Sequence, residues 1–173
     1  VIYTGDVATS ASPAVLETLL GSCVAVCLFD PRRRIGGMNH ILLPEGSDDV
    51  RSARFGIHAM ELLINQLMQQ GADRASLVAK AFGGACVFAG MSTVKIGTMN
   101  AEFVREFLHI EQIPLVAQRL GGTHAVHVYF HTDTGKAIVR TVDGSTLPKI
   151  VHDEDTYRRQ RAVDAQEDEV TFF

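Results

Sequence analysis

The sequence predicts an α+β fold, and three observations carry that expectation. One segment places apolar residues at helical spacing and another opens on a helix-capping pattern, whereas many shorter runs are β-branched or apolar and bounded by turn residues. Two pairs of those runs are separated by hairpin-like turns. Helices and strands do not alternate as regular βαβ units, which argues against a doubly wound parallel sheet. No internal repeat or linker divides the chain, so residues 1–150 read as one domain and residues 151–173 as a charged tail.

Ile2 to Ala8 and Ala14 to Leu20 read as the first two strands. Val24 to Phe29 form an apolar run between Gly21 and Asp30-Pro31, the pattern of a buried strand. A further run, Ile35 to Leu43, ends at Pro44. Between them Asp30-Pro31-Arg32-Arg33 sets Asp first and Pro second, as a type I turn prefers. After a polar stretch from Glu45 to Ser52, with Asp48 or Asp49 available as N-cap, a helix is expected from about Arg51 to Gln70. Phe55, Ala59, Leu62, Leu63 and Leu67 supply its apolar face, and Gly71 its stop. Ser76 to Phe82 reads as a strand ending at Gly83-Gly84. Asn100, with Glu102 in the first turn, is expected to cap a second helix running to about Glu111. Leu115 to Gln118 forms a short strand behind Pro114. Ala125 to Phe130 and Lys136 to Val142 then flank Thr132-Asp133-Thr134-Gly135, a strong hairpin signal.

Composition excludes several function classes. The 173 residues are enough to bury a core in one domain. Three cysteines without scaffold-like spacing argue against a disulfide framework and for a reducing compartment, so a cytoplasmic location is expected. A net charge of −4 leaves no electrostatic footprint for nucleic acid. No apolar stretch approaches the roughly 20 residues that cross a bilayer. The chain begins at Val1 rather than Met, as a piece lacking an upstream segment would, and shows no signal-peptide pattern.

The candidate chemistry lies between Leu19 and Leu43, LLGSCVAVCLFDPRRRIGGMNHILL. If Asp30 and Arg33 flank a two-residue loop, Cys23 falls directly opposite His40, with Cβ atoms about 4.5–5.5 Å apart. A longer loop makes the two diagonal neighbours on one face, and a one-residue slip separates them to opposite faces. A thiol whose proton an imidazole can take is a nucleophile toward acyl carbons, amides included. Buried cysteines are most often small hydrophobes, and Cys27, mid-strand with no histidine opposite, reads as core. Cys86 likewise reads as packed. A metal site from Cys23, Cys27 and His40 is disfavoured, because four strand residues separate the two cysteines by roughly 13 Å. The same spacing stands against zinc at His127 and His131. His58 and His109 read as helix-surface residues, and Asn39, on the other strand face from His40, as structural.

The segments TLLGSCVAVCLFDP and GGMNHILLP, with Cys23 and His40 seventeen residues apart, resemble the signature of the CheD-type chemoreceptor glutamine deamidases. The resemblance continues through KAFGGACVF, IGTMN and GGTHAVHVYFHTDTGKAIVR, and so spans most of Val1 to Val142. It implies a three-layer α/β/β sandwich with mixed or antiparallel sheets and two main helices. It implies Cys23 as nucleophile and His40 as general base. The family's third catalytic member is a threonine, usually within Thr-Leu-Gly-Leu-Gly-Ser-Cys, and the nearest candidate is Thr18, one residue closer to the cysteine. Many relatives also carry an arginine soon after the second Gly-Gly, where this chain has Ala125-Val126-His127.

The implied activity is hydrolysis of glutamine side-chain amides on cytoplasmic chemoreceptor helices through a thioester, with no metal or organic cofactor. Backbone N–H groups around Gly21, Ser22 and Cys23 are the expected oxyanion donors, Ser22 being otherwise a turn residue. Gly83 and Gly84 would let backbone approach a substrate, or simply form a tight turn. The alternative reading is a binding module that regulates a CheC-type phosphatase, with the Cys/His pair non-catalytic. In the tail, Asp153-Glu154-Asp155, then Arg158, Arg159 and Arg161, then Glu167-Asp168-Glu169 form charge blocks expected to act as a solvated tether. The apolar end, Val170 to Phe173, is expected to dock on the domain or on a partner.

Overall fold

The computed structural model describes residues 1–43, 49–87 and 91–142, together with His152, Glu154, Thr156, Tyr157 and Arg159. Its elements are β1 (Val7–Ser10), β2 (Val15–Leu20), β3 (Val24–Asp30), β4 (Ile35–Ile41), α1 (Asp49–Gln69), β5 (Val78–Gly83), α2 (Met91–Ile110), β6 (Leu115–Leu120), β7 (Val126–His131) and β8 (Ala137–Thr141). Five strands form one sheet in the order β1-β4-β3-β5-β6, and three form a second in the order β2-β7-β8. All pairings are antiparallel except β5 with β6. The fold is α+β, with mixed and antiparallel sheets and two main helices, as the sequence predicts.

The apolar character of β3 follows from its position at the centre of the larger sheet. Its side chains alternate between two cores. Val24, Val26 and Leu28 pack with Met60, Leu63, Ile64 and Leu67 of α1 and with Val104 and Leu108 of α2. Cys23, just before the strand, with Ala25 and Cys27, packs with Leu20, Val126, Val128 and Phe130 of the smaller sheet. Every residue of β4 is buried, because this strand too lies between neighbours, β1 and β3.

Several boundaries depart from expectation for identifiable reasons. The strand expected from Ile2 begins at Val7, because a turn precedes it. Asp6 N–H donates to the Tyr3 carbonyl, Tyr3 N–H donates to Asp6 Oδ2, and Gly5 takes a φ of 89°. Asn100 and Glu102 lie inside α2 rather than at its start. The Asn100 side chain is fully buried and bonded to two loops, so it is not a cap. The residues from Arg74 to Ser76, where the fifth strand was expected to begin, form a short 3-10 turn capped by Asp73. The expected cap at Asp48 or Asp49 rests on side chains outside the described residues, as does the docking of Val170 to Phe173.

Candidate functional site

The hairpin of β3 and β4 closes through four residues, Pro31 to Arg34, not two. Asp30 accounts for this: its Oδ1 accepts from the N–H groups of Arg32 and Arg33 at 2.9 and 3.0 Å, and its carbonyl accepts from Arg34 N–H. Oδ2 accepts from Asp73 N–H at 2.8 Å. Burial opposes ionisation of Asp30, but these three N–H groups and the Arg33 charge outweigh it and hold the carboxyl below its ordinary value. The wider loop pairs His40 with Ala25 instead of Cys23. Cys23 is therefore a diagonal neighbour of His40 on the same face, toward the smaller sheet.

His40 is buried, and its ring contacts decide its tautomer. Thr18 Oγ1 lies 2.7 Å from the Ile2 carbonyl, to which it donates, and 2.8 Å from His40 Nδ1. Its one proton being committed, the hydroxyl accepts from Nδ1–H. Nε2 then carries the lone pair. Thr4 Oγ1 stands 3.3 Å from that nitrogen. Burial pushes the His40 pKa down to about 4, the Ile2 carbonyl offsetting part of the effect, so the ring is neutral at physiological pH. Thr18 reaches His40 from β2, which belongs to the other sheet, and it points inward because Leu16, Thr18 and Leu20 alternate toward the inter-sheet core.

The loop Gly21-Ser22-Cys23 is braced on both sides. Gly84 N–H donates to the Cys23 carbonyl at 2.7 Å and Ala85 N–H to the Gly21 carbonyl at 2.8 Å. Gly83, at φ 107°, comes so close that a Cβ there would sit 2.2 Å from the Cys23 carbonyl oxygen. Both glycines thus meet the backbone of the cysteine loop itself. Asn100 Nδ2 donates to the Ser22 carbonyl at 2.9 Å, while its Oδ1 accepts from Leu43 N–H at 2.9 Å. The remaining face of the loop meets Glu154. Its Oε1 accepts from Ser22 N–H at 3.0 Å and Cys23 N–H at 3.3 Å, and Oε2 accepts from Ser22 Oγ at 2.6 Å.

Of the residues the sequence singles out, Thr18 bonds His40, while Gly83 and Gly84 meet the loop of Gly21, Ser22 and Cys23, which ends on the sheet face that carries His40. Sequence reasoning missed Asn100 as a brace, Thr4 beside the ring, and Glu154, which is buried where a solvated tether was expected. No local signal distinguishes Glu154 from its acidic neighbours. Cys27 is core, with burial pushing its thiol pKa far up and Lys80 offsetting little. Asn39 is structural, its Oδ1 accepting from Val26 N–H and its Nδ2 donating to the Ala59 carbonyl. His127 contacts Tyr129 and Glu17 on the outer face of the smaller sheet.

Fold and site together define an α+β protein in which a buried histidine, bonded to a threonine of the smaller sheet, shares a sheet face with a cysteine. A family described as CheD chemotactic sensory transduction matches residues 42–141, a span that begins just after His40. Similar proteins extend the likeness. One is a probable chemoreceptor glutamine deamidase CheD of Stenotrophomonas maltophilia (strain K279a), 47% identical over 144 residues, which cover 83% of this chain and 73% of that protein. Another, of the same description, from Xanthomonas campestris pv. campestris (strain B100), is 52% identical over 126 residues, 72% of this chain and 64% of that one. A probable chemoreceptor glutamine deamidase CheD 1 of Burkholderia thailandensis is 49% identical over 137 residues, 76% and 58% of the two chains. The chain belongs to the CheD family. Among the described residues no helix is long and apolar enough to cross a membrane.

Proposed function

We propose that this protein is a protein-glutamine deamidase acting on chemoreceptors, with Cys23 as nucleophile, His40 as general base and acid, and Thr18 as the residue that orients the ring. The observation that supports this reading best is the Thr18 hydrogen bond to His40 Nδ1, which leaves Nε2 basic on the sheet face that carries Cys23. In the reaction, Nε2 takes the Cys23 proton as Sγ bonds to the glutamine side-chain carbonyl carbon. The carbonyl electrons move onto oxygen, which the N–H groups of Ser22 and Cys23 receive. The imidazolium then gives its proton to the departing nitrogen. Ammonia leaves, and a thioester remains. Water attacks that carbon while Nε2 takes its proton, and collapse expels the Cys23 sulfur, which is reprotonated as glutamate forms.

Burial favours the neutral ring, so the imidazolium is a transient species whose charge the nearby oxyanion offsets. No step calls for a metal or an organic cofactor. Each turnover replaces a neutral amide by a carboxylate on the receptor helix, a change in local electrostatics comparable in kind to other charge-changing modifications.

The test is mass spectrometry of chemoreceptor peptides incubated with the parent protein and with Cys23→Ala. The amide-to-acid mass change is expected with the parent and absent with the variant. Equal conversion by both, or none by either, would remove the catalytic reading. It would leave the chain as a binding module, for which association with a CheC-type phosphatase is the first measurement.

A further inference from the structure

The backbone N–H groups of Ser22 and Cys23 are the donors that the proposed reaction needs for its oxyanion, yet a carboxyl oxygen of the same chain already sits on them. Glu154 is 6% exposed, and it makes three contacts with the cysteine loop, from Ser22 N–H, Ser22 Oγ and Cys23 N–H. A glutamate side chain is also, atom for atom, the product of glutamine deamidation. Its presentation is helical: His152, Glu154, Thr156, Tyr157 and Arg159 have helical conformation, and Thr156 Oγ1 donates to the His152 carbonyl at 2.7 Å. Tyr157, one helical turn on, lies against Gly5, where a Cβ would meet its ring at 2.6 Å. That contact ties the segment to the N-terminal turn carrying Thr4, beside His40 Nε2.

We propose that Glu154 occupies the subsite for the reacting glutamine side chain, its Oε1 standing where the substrate's acyl oxygen binds, so that the C-terminal segment is an intramolecular product mimic that substrate must displace. The inference rests on the deamidase reading for the identity of the subsite, and it adds both its occupant and a mode of control. A side chain on a helix fills the site, so a receptor glutamine would compete in the same presentation. Anything that draws Glu154 and Tyr157 away opens the enzyme.

Full-length parent, Glu154→Ala and Tyr157→Ala test this with two readouts. In the first, iodoacetamide labelling of Cys23 should rise about tenfold in both variants while Cys27 labelling stays unchanged, as for a parent docked about nine-tenths of the time. In the second, KM for a receptor peptide should fall by the same factor with kcat nearly unchanged. A parent that deamidates the peptide while neither variant alters KM or Cys23 labelling overturns the proposal and leaves the deamidase reading standing. Faster labelling of all three cysteines with a lowered Tm also overturns it, since Glu154 would then be a structural brace. Faster Cys23 labelling without deamidation by any form keeps the docked segment and removes the deamidase reading. Glu154→Gln adds a chemical readout, because an amide placed in the subsite should be hydrolysed to glutamate in the intact chain, and not in a Cys23→Ala background. An enzyme that converts receptor peptides but keeps its own amide at position 154 does not hold that side chain at the reacting position, and the proposal fails.

Discussion

At His40 the geometry of the candidate site and the stability of the protein meet in one ring. Burial holds its pKa at about 4 in the folded chain, whereas an unfolded chain titrates histidine near 6.5. Between those values the unfolded state binds more protons, so stability is full above about pH 6.5 and declines as pH falls toward about 4, by about 3 kcal/mol in all. Below that window both states carry the proton and this contribution changes no further. Denaturant midpoints near pH 7 and near pH 5 should therefore differ more for the parent than for His40→Gln, which lacks the titrating ring. Identical pH dependence in the two proteins would contradict a neutral, desolvated histidine. Thr18, one residue closer to the cysteine than the family motif places its threonine, still reaches the ring, and a hydroxyl that donates to the Ile2 carbonyl can only accept from Nδ1.

At the scale of elements, the cysteine loop is held by the end of β5 and by the middle of α2. Gly83 is the tightest point, because it combines φ 107° with a Cβ position 2.2 Å from the Cys23 carbonyl. Gly83→Ala should cost about 2–4 kcal/mol through backbone strain and overpacking together. Gly122 has a comparable φ of 87° but open space around its Cβ position. Gly122→Ala should then cost only about 1–2 kcal/mol, the left-handed backbone penalty alone. Chemical denaturation of the two variants measures the difference, and equal costs would show that contact with Cys23 adds nothing. The turn-rich segment before β4 could be identified from Asp30-Pro31, but its length could not. Asp30 reaches a backbone N–H at Asp73, far along the chain, and that tie belongs to packing rather than to turn chemistry.

Across the whole molecule, the site depends on how the smaller sheet lies on the larger one. His40 and the cysteine loop come with the five-stranded sheet, while Thr18 comes with the three-stranded one, where Leu16 of β2 pairs with Phe130 of β7. Phe130 is fully buried in the core between the sheets, and Leu67 is fully buried on the helix side. Phe130→Ala and Leu67→Ala should each destabilise by about 3–5 kcal/mol, as large core truncations do. Only the first loosens the contact between Thr18 and His40. At a temperature where both variants remain folded, receptor-peptide deamidation should fall in Phe130→Ala and stay near the parent rate in Leu67→Ala. Equal losses in the two would tie the site to global stability instead of to sheet docking.

The sequence by itself determined the α+β class and where most of the elements lie. Turn residues bound the strands, and period-two alternation puts Cys23 and His40 on one face for a loop of two or four residues and on opposite faces for an odd one. Cys27 could be read as core on the same basis, since nothing opposite it in the hairpin could take its proton. These properties are local, and neighbouring residues encode them. Only the tertiary structure decided the register of β3 on β4, the approach of Thr18 from another sheet, the use of Asn100 as a mid-helix brace, and the burial of Glu154 on the cysteine loop. Each of these joins segments distant in the chain. Such contacts arise from the sum of packing and hydrogen bonding over two cores, and no single stretch of sequence carries that sum.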